Sequence, residues 1–419
     1  MVGHFSERSA GGVLVWDQVM NQNAKRLGPG RLLGWLMLGG MLCRAGVPGV
    51  VIDHSPAVSG LYIGSPSLAV LPDGRYVASH DFFGPESREH ESATSRVFRS
   101  EDRGESWQRV AEVQGQFWST LFVHRGALYF IGTDRHHGNA IIRRSEDWGE
   151  TWTEPVTAQT GLLRDDGQFH CAPVPVVEYR GRLWRGMERR VPPNGWGITY
   201  CTGVLSVPVD ADLLDAGRWT FSEFLPGRKE WLAGGFGGWL EGNVVVDPQG
   251  SLVNVLRVDT PGYPEKAAMV RVARDGSRVE FDVATGFLDF PGGAKKFAIR
   301  RDGEAGRYWT LATLVPESFR DDRKPARVRN TLALCASDDL RSWEVRCILL
   351  HHPDVAKHGF QYVDWQFDGD DMIAACRTAY DDGQGGAHNN HDANYLTFHR
   401  FERFRELSME GSVEVSAKR

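Results

Sequence analysis

From about residue 64 onward, short apolar segments follow one another along the chain, separated by turns rich in glycine, aspartate and asparagine. One such segment is SLAVLPDGRYVASHDFF at residues 67–83, in which a Pro-Asp-Gly turn interrupts two apolar runs. No long stretch of the sequence repeats its apolar residues every 3.6 positions, as one face of a helix would. The pattern predicts an all-β protein of short strands joined by tight turns.

The order of strands and turns repeats along the chain. The turn at Ser100–Trp107 returns almost unchanged at Ser145–Trp152, and the two starts lie 145 − 100 = 45 residues apart, the length of one four-stranded propeller blade. Four looser units follow, so we count six blades, or seven if two units have been merged. The last unit lacks a fourth strand, which residues 49–55 (GVVIDHS) are expected to supply. The sequence therefore predicts a single β-propeller catalytic domain over residues 47–419, closed by an N-terminal strand.

The repeated turn has a physical rationale. Its aspartate, Asp102 or Asp147, can accept backbone N–H bonds, its glycine permits a positive φ, and its tryptophan is expected to pack between blades. A third copy at Ser337–Trp343 is one residue shorter and has Arg341 in place of the glycine. This turn resembles the Asp box of sialidases and several other propellers. The motif identifies the fold and leaves the chemistry open.

The N-terminus has the composition of a secretory leader. Three basic residues precede the apolar run Leu32–Cys43, and Arg44-Ala45-Gly46 follows it. We expect residues 1–46 to be a signal peptide with an over-long start, since Met20 is an alternative initiator. The run is too short for a transmembrane span, so the prediction is a secreted or periplasmic protein. A lipid anchor at Cys43 is the less favoured alternative.

Composition narrows the function classes. A formal charge of −6 without a basic stripe gives no reason to expect nucleic-acid binding. Beyond Cys43, five cysteines without CxxC spacing argue against a metal knuckle and a disulfide scaffold, although Cys335 and Cys347 flank one predicted hairpin and are a candidate pair. We expect a monomer that requires no cofactor. Structural calcium in the aspartate-rich turns is an alternative, although no loop has recognisable ligand spacing.

The Asp boxes also indicate where a site would lie. They join the third and fourth strands of a blade, so the loops at the opposite ends of the strands line the other face, the mouth of the ring. The candidate catalytic residues there are His80, His137, His170 and Tyr362. The candidate substrate-binding residues are Trp118, His136, Arg189, Trp239, Glu241, Arg257, Lys296, Gln361 and Arg377. No metal ligands are assigned. Indoles stack on sugar rings, Arg and Lys neutralise carboxylates, and His or Tyr transfers protons, so this composition indicates an acidic-sugar site.

One segment resembles true sialidases. LEGNVVVDPQGSLVNVLR places Glu241 before an apolar strand and Arg257 at the end of the next, 257 − 241 = 16 residues later. In sialidases the corresponding glutamate polarises a nucleophilic tyrosine and the arginine binds the sialate carboxylate, and Tyr362 is the candidate for that tyrosine. The sequence departs from sialidases at residues 63–67 (IGSPS), where the leading arginine of their triad is missing. Exo-sialidase activity is therefore the alternative.

Across most of the chain after residue 50, the sequence resembles propeller enzymes that remove terminal rhamnose linked to glucuronic acid. The segments that carry this resemblance are SHDFFG, GQFWSTLF, DRHHGN, HCAPVP, RLWRGME and HDANYLTFHR. It implies bacterial glycan degradation, a seven-bladed propeller, and histidine-based hydrolysis or β-elimination. We therefore predict a secreted enzyme that cleaves the bond between a terminal neutral sugar, L-rhamnose, and a uronic acid in an acidic polysaccharide. A non-catalytic glycan-binding propeller is the further alternative.

Overall fold

The computed structural model describes residues 46–193, 195–320 and 323–416. Over these residues the strands form six antiparallel sheets, each the blade of a β-propeller, with only short 3-10 turns between them. The all-β fold is confirmed, and the blades number six rather than the seven that the rhamnose-enzyme resemblance implied. No helix in these ranges is long and apolar enough to cross a membrane. The leader proposed for residues 1–46 and the anchor at Cys43 lie outside them, save for Gly46.

The first three blades follow one another along the chain, each beginning with its innermost strand. Blade 1 contains β2 (Tyr62–Ile63), β3 (Ser67–Val70), β4 (Tyr76–Phe83), β5 (Thr94–Ser100) and β6 (Gln108–Gln114). Blade 2 contains β7 (Phe117–His124), β8 (Ala127–Thr133), β9 (Ala140–Ser145) and β10 (Leu162–Arg164). Blade 3 contains β11 (Gln168–His170), β12 (Val177–Tyr179), β13 (Arg182–Arg190), β14 (Tyr200–Pro208), β15 (Thr220–Phe221) and β16 (Leu225–Pro226).

The other three blades complete the ring. Blade 4 contains β17 (Gly238–Val246), β18 (Leu252–Asp259), β19 (Lys266–Val272), β20 (Val279–Glu280) and β21 (Phe287–Asp289). Blade 5 contains β22 (Ile299–Arg301), β23 (Tyr308–Thr313), β24 (Thr331–Ser337) and β25 (Glu344–His351). Blade 6 contains β26 (Gly359–Asp368), β27 (Asp371–Ala379), β28 (Tyr395–Phe401) and, as its outer strand, β1 (Val50–His54).

The N-terminal strand closes the ring as the sequence predicts. β1 pairs antiparallel with β28, with Val50 opposite Phe398 and His54 opposite Tyr395. The carboxylate of Asp53 on β1 then accepts bonds from two residues of blade 1, His80 Nε2 at 2.9 Å and Arg96 Nη1 at 3.1 Å. β1 therefore joins the last blade to the first through side chains as well as through the backbone.

The Asp boxes form as predicted. Asp102 Oδ1 accepts from the backbone N of Ser106 at 2.9 Å, and Asp147 Oδ1 accepts from the N of Thr151 at 2.9 Å. In the short third copy, Leu340 and not Arg341 occupies the glycine position, with φ of 65°. The residue missing from this copy is the one before Leu340, so Leu340 aligns with Gly104 and Gly149. The buried Leu340 side chain joins the apolar core between blades, which favours a leucine where the other two boxes have glycine.

The cysteine prediction is corrected in one respect. All five cysteines of the described chain are buried and free, so Cys335 and Cys347 do not form a disulfide. Cys335 lies opposite Val345 while Cys347 lies opposite Leu334, and the two side chains join different core clusters. Each acts as a small apolar residue in the packing between sheets.

Candidate active site

Three blades direct a side chain toward the same cavity from the same kind of β-bulge. At Trp118, Glu241 and Tyr362 the innermost strand carries one residue more than its partner, so two residues lie opposite one. Their φ angles are 51°, 59° and 53°, in the left-handed region that side chains rarely adopt. Such a conformation costs about 1–3 kcal/mol per residue and concentrates at functional sites. Because this cost is repeated around one cavity, we take that cavity as the candidate site.

The cavity lies at the mouth of the ring, away from the Asp boxes. The space within it, including the part that is continuous with solvent, is about 640 Å³, and it is lined by residues of blades 1, 2, 3, 4 and 6. These residues are Gly64, Ser65, Asp81, Phe83, Glu89, Phe117, Trp118, His136, His170, Trp196, Tyr200, Leu240, Glu241, Arg257, Tyr362, Arg377 and His391. No Asp-box residue is among them. The strands therefore bring seven of the thirteen candidate residues to one place: His170, Tyr362, Trp118, His136, Glu241, Arg257 and Arg377.

Three guanidinium groups surround Tyr362. Arg257 Nη1 lies 3.5 Å from the Tyr362 hydroxyl and pairs with both oxygens of Glu241, at 3.1 and 3.2 Å. The Cζ atoms of Arg377 and Arg329 lie 4.7 and 5.8 Å from the centre of the Tyr362 ring. Negative charge that develops on the phenolic oxygen during a reaction is therefore stabilised.

Arg329 and Arg377 carry buried positive charge without a direct ion pair. They are 5% and 3% exposed, and no Asp or Glu of the described chain lies within 4.0 Å of either guanidinium. Their polar partners are neutral: the Gln361 amide oxygen at 2.6 Å for Arg329, and the His391 carbonyl for Arg377. Burial lowers the pKa of Arg329 to about 9. Of the two, only Arg377 lines the cavity, and an anion bound beside it would stabilise its buried charge.

Asp81 is a buried carboxyl of the cavity that loses its proton less readily than usual. Burial raises the pKa of Asp81 to about 6, although it accepts backbone N–H bonds from Ser65 at 2.7 Å and Trp118 at 2.6 Å. Burial dominates because the side chain is sealed behind Gly64, where an added Cβ would lie 1.7 Å from Asp81 Oδ1. A carboxyl with this pKa can donate a proton near neutral pH.

His170 and Glu188 form a hydrogen-bonded pair of groups that can transfer protons. His170 Nδ1 lies 2.9 Å from Glu188 Oε2, and the other oxygen of Glu188 accepts from Gly242 N at 3.1 Å. A carboxylate only accepts, so Nδ1 carries the hydrogen and Nε2 is left for a ligand. The His170 ring also packs against Trp118 and Tyr200, with centroids 4.5 and 4.7 Å away. These contacts fix the orientation of the imidazole at the cavity wall.

Two of the catalytic candidates do not line the cavity. His80 is held on the side away from it, with Nε2 on Asp53 and Nδ1 on the Asp81 carbonyl, both at 2.9 Å. His137 Nε2 bonds to the Tyr200 hydroxyl at 2.8 Å. Burial lowers the pKa of His137 to about 2, with further lowering from the neighbouring histidines. Both imidazoles support residues that reach the cavity.

Four of the binding candidates also lie outside the cavity lining. Trp239 is fully buried in the core of blade 4, and Arg189 bonds to the Asp166 carbonyl at 2.6 Å. Lys296 is buried against the Val363 carbonyl at 2.7 Å, and burial lowers its pKa to about 8. The remaining one, Gln361, holds Arg329 in place. These side chains position the site from behind.

Sequence reasoning missed several residues of the site. Asp81, Arg329, Glu89, Trp196 and Tyr200 are not among the residues that the sequence predicts for the site. Arg329 lies two residues before the core strand β24, at the end that faces the mouth, and that placement is a usable signal. Trp196 is 52% exposed and lies over Arg257, with 5.5 Å from Cζ to the ring centre. An exposed indole at the rim is suited to stacking on a sugar.

Solved structures share this fold at low sequence identity. A Penicillium chrysogenum alpha-L-arabinanase is 13% identical with a TM-score of 0.51, over 86% of this chain and 98% of its own. A Hadza microbial sialidase is 14% identical with a TM-score of 0.58, over 85% and 69%. A Trypanosoma rangeli sialidase is 15% identical with a TM-score of 0.51, over 80% of this chain and 54% of its own. No family model and no curated protein matches the chain. At these identities the likeness supports the fold alone, a six-bladed β-propeller.

Proposed function

We propose that this protein is an enzyme that cleaves a glycosidic bond at the end of an acidic glycan, between a terminal neutral sugar and a uronic acid. The observation that carries the proposal is the presence, in one cavity, of the buried Arg377, which has no direct ion pair, and of Asp81, a carboxyl whose pKa burial raises to about 6. Structural neighbours whose names are arabinanase and sialidase support a carbohydrate substrate.

Substrate binding follows from the charges and the aromatic rings. The carboxylate of the uronic acid would bind Arg377. The substrate would thus supply the ion-pair partner that Arg377 lacks within the described chain. Trp118 and Trp196 offer indole faces on two sides of the cavity for the sugar rings. L-Rhamnose as the terminal sugar is the specific expectation retained from the sequence resemblance.

Hydrolysis is the first route. Asp81 donates its proton to the leaving oxygen while Tyr362 attacks the anomeric carbon and passes its phenolic proton to Glu241, the carboxylate that shares Arg257 with it. Water then cleaves the tyrosyl–sugar bond: Asp81 takes the proton of the water, and Glu241 returns its proton to the Tyr362 oxygen, which restores all three groups. Arg257 stabilises the phenolate oxygen at each stage.

β-Elimination is the second candidate, and the closeness of Arg377 to Tyr362 favours it. A guanidinium that neutralises the uronate carboxylate makes the C5 proton easier to remove. Tyr362 would take that proton as its phenolate, the C4–O bond would break, and a C4=C5 double bond would form. Asp81 would protonate the departing oxygen.

The product separates the two routes. The protein is incubated with gum arabic, with sialyllactose and with linear arabinan, and the released sugars are identified by chromatography. Free rhamnose without ultraviolet absorbance supports hydrolysis, and an absorbing unsaturated uronate supports elimination. Release of sialic acid or arabinose alone contradicts the proposal. Binding to gum arabic without any product means that the propeller binds glycans and does not cleave them.

Matched variants test the assigned roles. Tyr362→Phe removes the phenolic oxygen and should lower kcat by at least about a hundredfold, because nucleophile or base is lost. Tyr380→Phe is the control, since the Tyr380 hydroxyl lies outside the cavity and makes no hydrogen bond within the described chain. Equal activity of the two variants would remove Tyr362 from the mechanism.

The carboxylate contact has its own test. Wild-type enzyme should prefer gum arabic over the same polymer with its carboxyl groups reduced to alcohols by at least about tenfold in kcat/KM, the worth of one charge-assisted bond. Arg377→Met should lose that preference. A preference unchanged in Arg377→Met would show that the carboxylate binds elsewhere or not at all.

A further inference from the structure

A group of metal-ligating side chains lies at the rim of the cavity, outside the machinery assigned above. Glu89 and His90 come from the loop between β4 and β5 of blade 1, and His136 comes from the loop between β8 and β9 of blade 2. Glu89 Oε1 lies 3.2 Å from His136 Nδ1 and 3.3 Å from His90 Nε2. The two imidazoles stack with their centres 4.5 Å apart. Two loops from different blades thus bring three donor atoms together.

The donor atoms have the spacing of a zinc site. Zinc–nitrogen and zinc–oxygen bonds of about 2.0–2.1 Å in a tetrahedron place neighbouring donors about 3.3 Å apart. The two distances from Glu89 Oε1 match that edge, and all three donor atoms lie within 4.8 Å of one another. His90, with 70% of its side chain exposed, can turn to shorten the remaining edge.

Hydrogen bonds from neighbouring residues hold the Glu89 carboxylate in place, as is usual for the ligands of metal sites. Gly84 N and the Ser87 hydroxyl both donate to Glu89 Oε2 at 3.2 Å, which leaves Oε1 for the histidines. The backbone N of His136 donates to the Glu89 carbonyl at 2.7 Å and fixes the two loops together. Within the described chain no Arg or Lys pairs with Glu89. The carboxylate therefore lacks a permanent positive partner.

We propose that Glu89, His90 and His136 bind a divalent transition-metal ion of the Zn²⁺ class, whose remaining coordination positions face the cavity and bind oxygen atoms of the sugar. Two histidines and one glutamate are the ligand set of zinc sites that keep a position open for a substrate. Glu89 and His136 line the cavity, and the Trp118 ring lies 4.6 Å from the His136 ring. The metal would thus lie beside the indole that faces the sugar. Only the identity of the sugar oxygen rests on the proposed function.

The sequence predicts no metal ligands, because the three donor residues do not follow one another in a recognisable spacing. The adjacent His137 is turned to Tyr200 and takes no part. The partners of His136 lie about 46 residues earlier in the chain and belong to another blade. Blade packing, rather than a spacing motif, assembles the three donors.

Metal binding is tested without any enzyme assay. The purified protein is dialysed against EDTA and titrated with ZnCl₂ by calorimetry and with CoCl₂ by visible absorption. We expect one equivalent to bind and Co²⁺ to show the intense bands of a tetrahedral site. Glu89→Gln and His136→Ala should weaken binding by more than about a hundredfold, since losing even an outer-shell partner costs 10–100-fold. The absence of binding by the wild-type protein overturns the proposal.

Two further variants separate this site from other surface histidines and from misfolding. His90→Ala removes a mostly exposed side chain and should leave the fold intact while weakening Zn²⁺ binding to the same degree. His388→Ala is the matched control, because the exposed His388 pairs with Asp392 at 2.9 Å outside the cluster. Unchanged affinity in His90→Ala, or equal loss in His388→Ala, contradicts the assignment. D-Glucuronate should shift the Co²⁺ bands if the open positions face the cavity; failure of this shift alone, with metal bound, refutes the substrate contact and leaves the proposed cleavage untouched.

Discussion

Replacing Asp81 by asparagine tests the protonation that the proposed chemistry requires. Burial raises the pKa of Asp81 from the usual 3.8 to about 6. The native protein therefore binds this proton more tightly than the unfolded chain does. As the pH rises from about 4 through about 6, the free energy of unfolding of the wild-type protein falls. A difference of two pKa units corresponds to a total loss of about 3 kcal/mol. Above about pH 6 the free energy of unfolding stays at this lower value. Asparagine does not ionise and makes no such contribution.

The substitution also has a cost that does not depend on pH. Asp81 accepts one backbone N–H bond on each oxygen, from Ser65 and from Trp118. An asparagine amide can accept only one of them and turns its own N–H₂ toward the other donor, which costs about 1–3 kcal/mol. We therefore expect Asp81→Asn to be less stable than the wild type at about pH 4 and equal to it or more stable at about pH 7.

The assay is urea unfolding followed by tryptophan fluorescence, for both proteins, at three pH values across this range. The quantity compared is the difference between their free energies of unfolding. A difference that does not change with pH would refute the raised pKa. In the enzyme assay, wild-type activity should fall above about pH 6, where Asp81 loses its proton, and Asp81→Asn should lose about a hundredfold or more in kcat.

Two other substitutions give independent predictions. Glu188→Gln removes the charge that orients His170, and we expect kcat to fall about tenfold to a hundredfold, the worth of one charge-assisted bond, with a changed pH profile that a purely structural role would not produce. Gly104→Ala in the first Asp box would place a Cβ 2.1 Å from the Phe398 ring at a φ of 98°, and should lower the free energy of unfolding by more than about 2 kcal/mol. Gly74→Ala, at a φ of 86° with no atom within 4 Å, is the control and should cost about 1 kcal/mol; equal losses in urea unfolding would contradict the role of the contact.

The fold was predictable because its signals are local. Turn residues and strand lengths reveal blades without any knowledge of tertiary contacts. The proximity of Glu241 and Arg257 is also a local signal, because two paired strands of one blade bring these residues together. The cavity was harder to predict. His80 and Asp81 are neighbours on one strand, and side chains alternate between the two faces of a sheet. The prediction of His80 as catalytic therefore selects the face away from the cavity, whereas Asp81 lines it. Arg329 follows a long loop without periodicity, so only the folded chain shows that it reaches Tyr362.

Other predictions fail for a related reason. Trp239 was expected to stack on sugar, because an indole near a strand end fits either the core or a ligand. Its N–H donates to the Tyr200 carbonyl at 3.0 Å, and its ring packs among other aromatic residues of blade 4. Burial is decided by neighbouring loops, and those are not visible in the strand pattern.

The pairing of β1 with β28 has a consequence for how the chain folds. Val50 and Phe398 are opposite each other although 398 − 50 = 348 residues separate them, which makes this one of the least local contacts in the protein. Blades 1 to 5 can form from neighbouring segments, whereas blade 6 has to wait for both ends of the domain. Until then β28 presents an unpaired edge, the kind of surface on which another chain can add a strand. A strand that leaves the ribosome early is thus the last to find its partner, and aggregation during folding should depend on how fast that closure occurs.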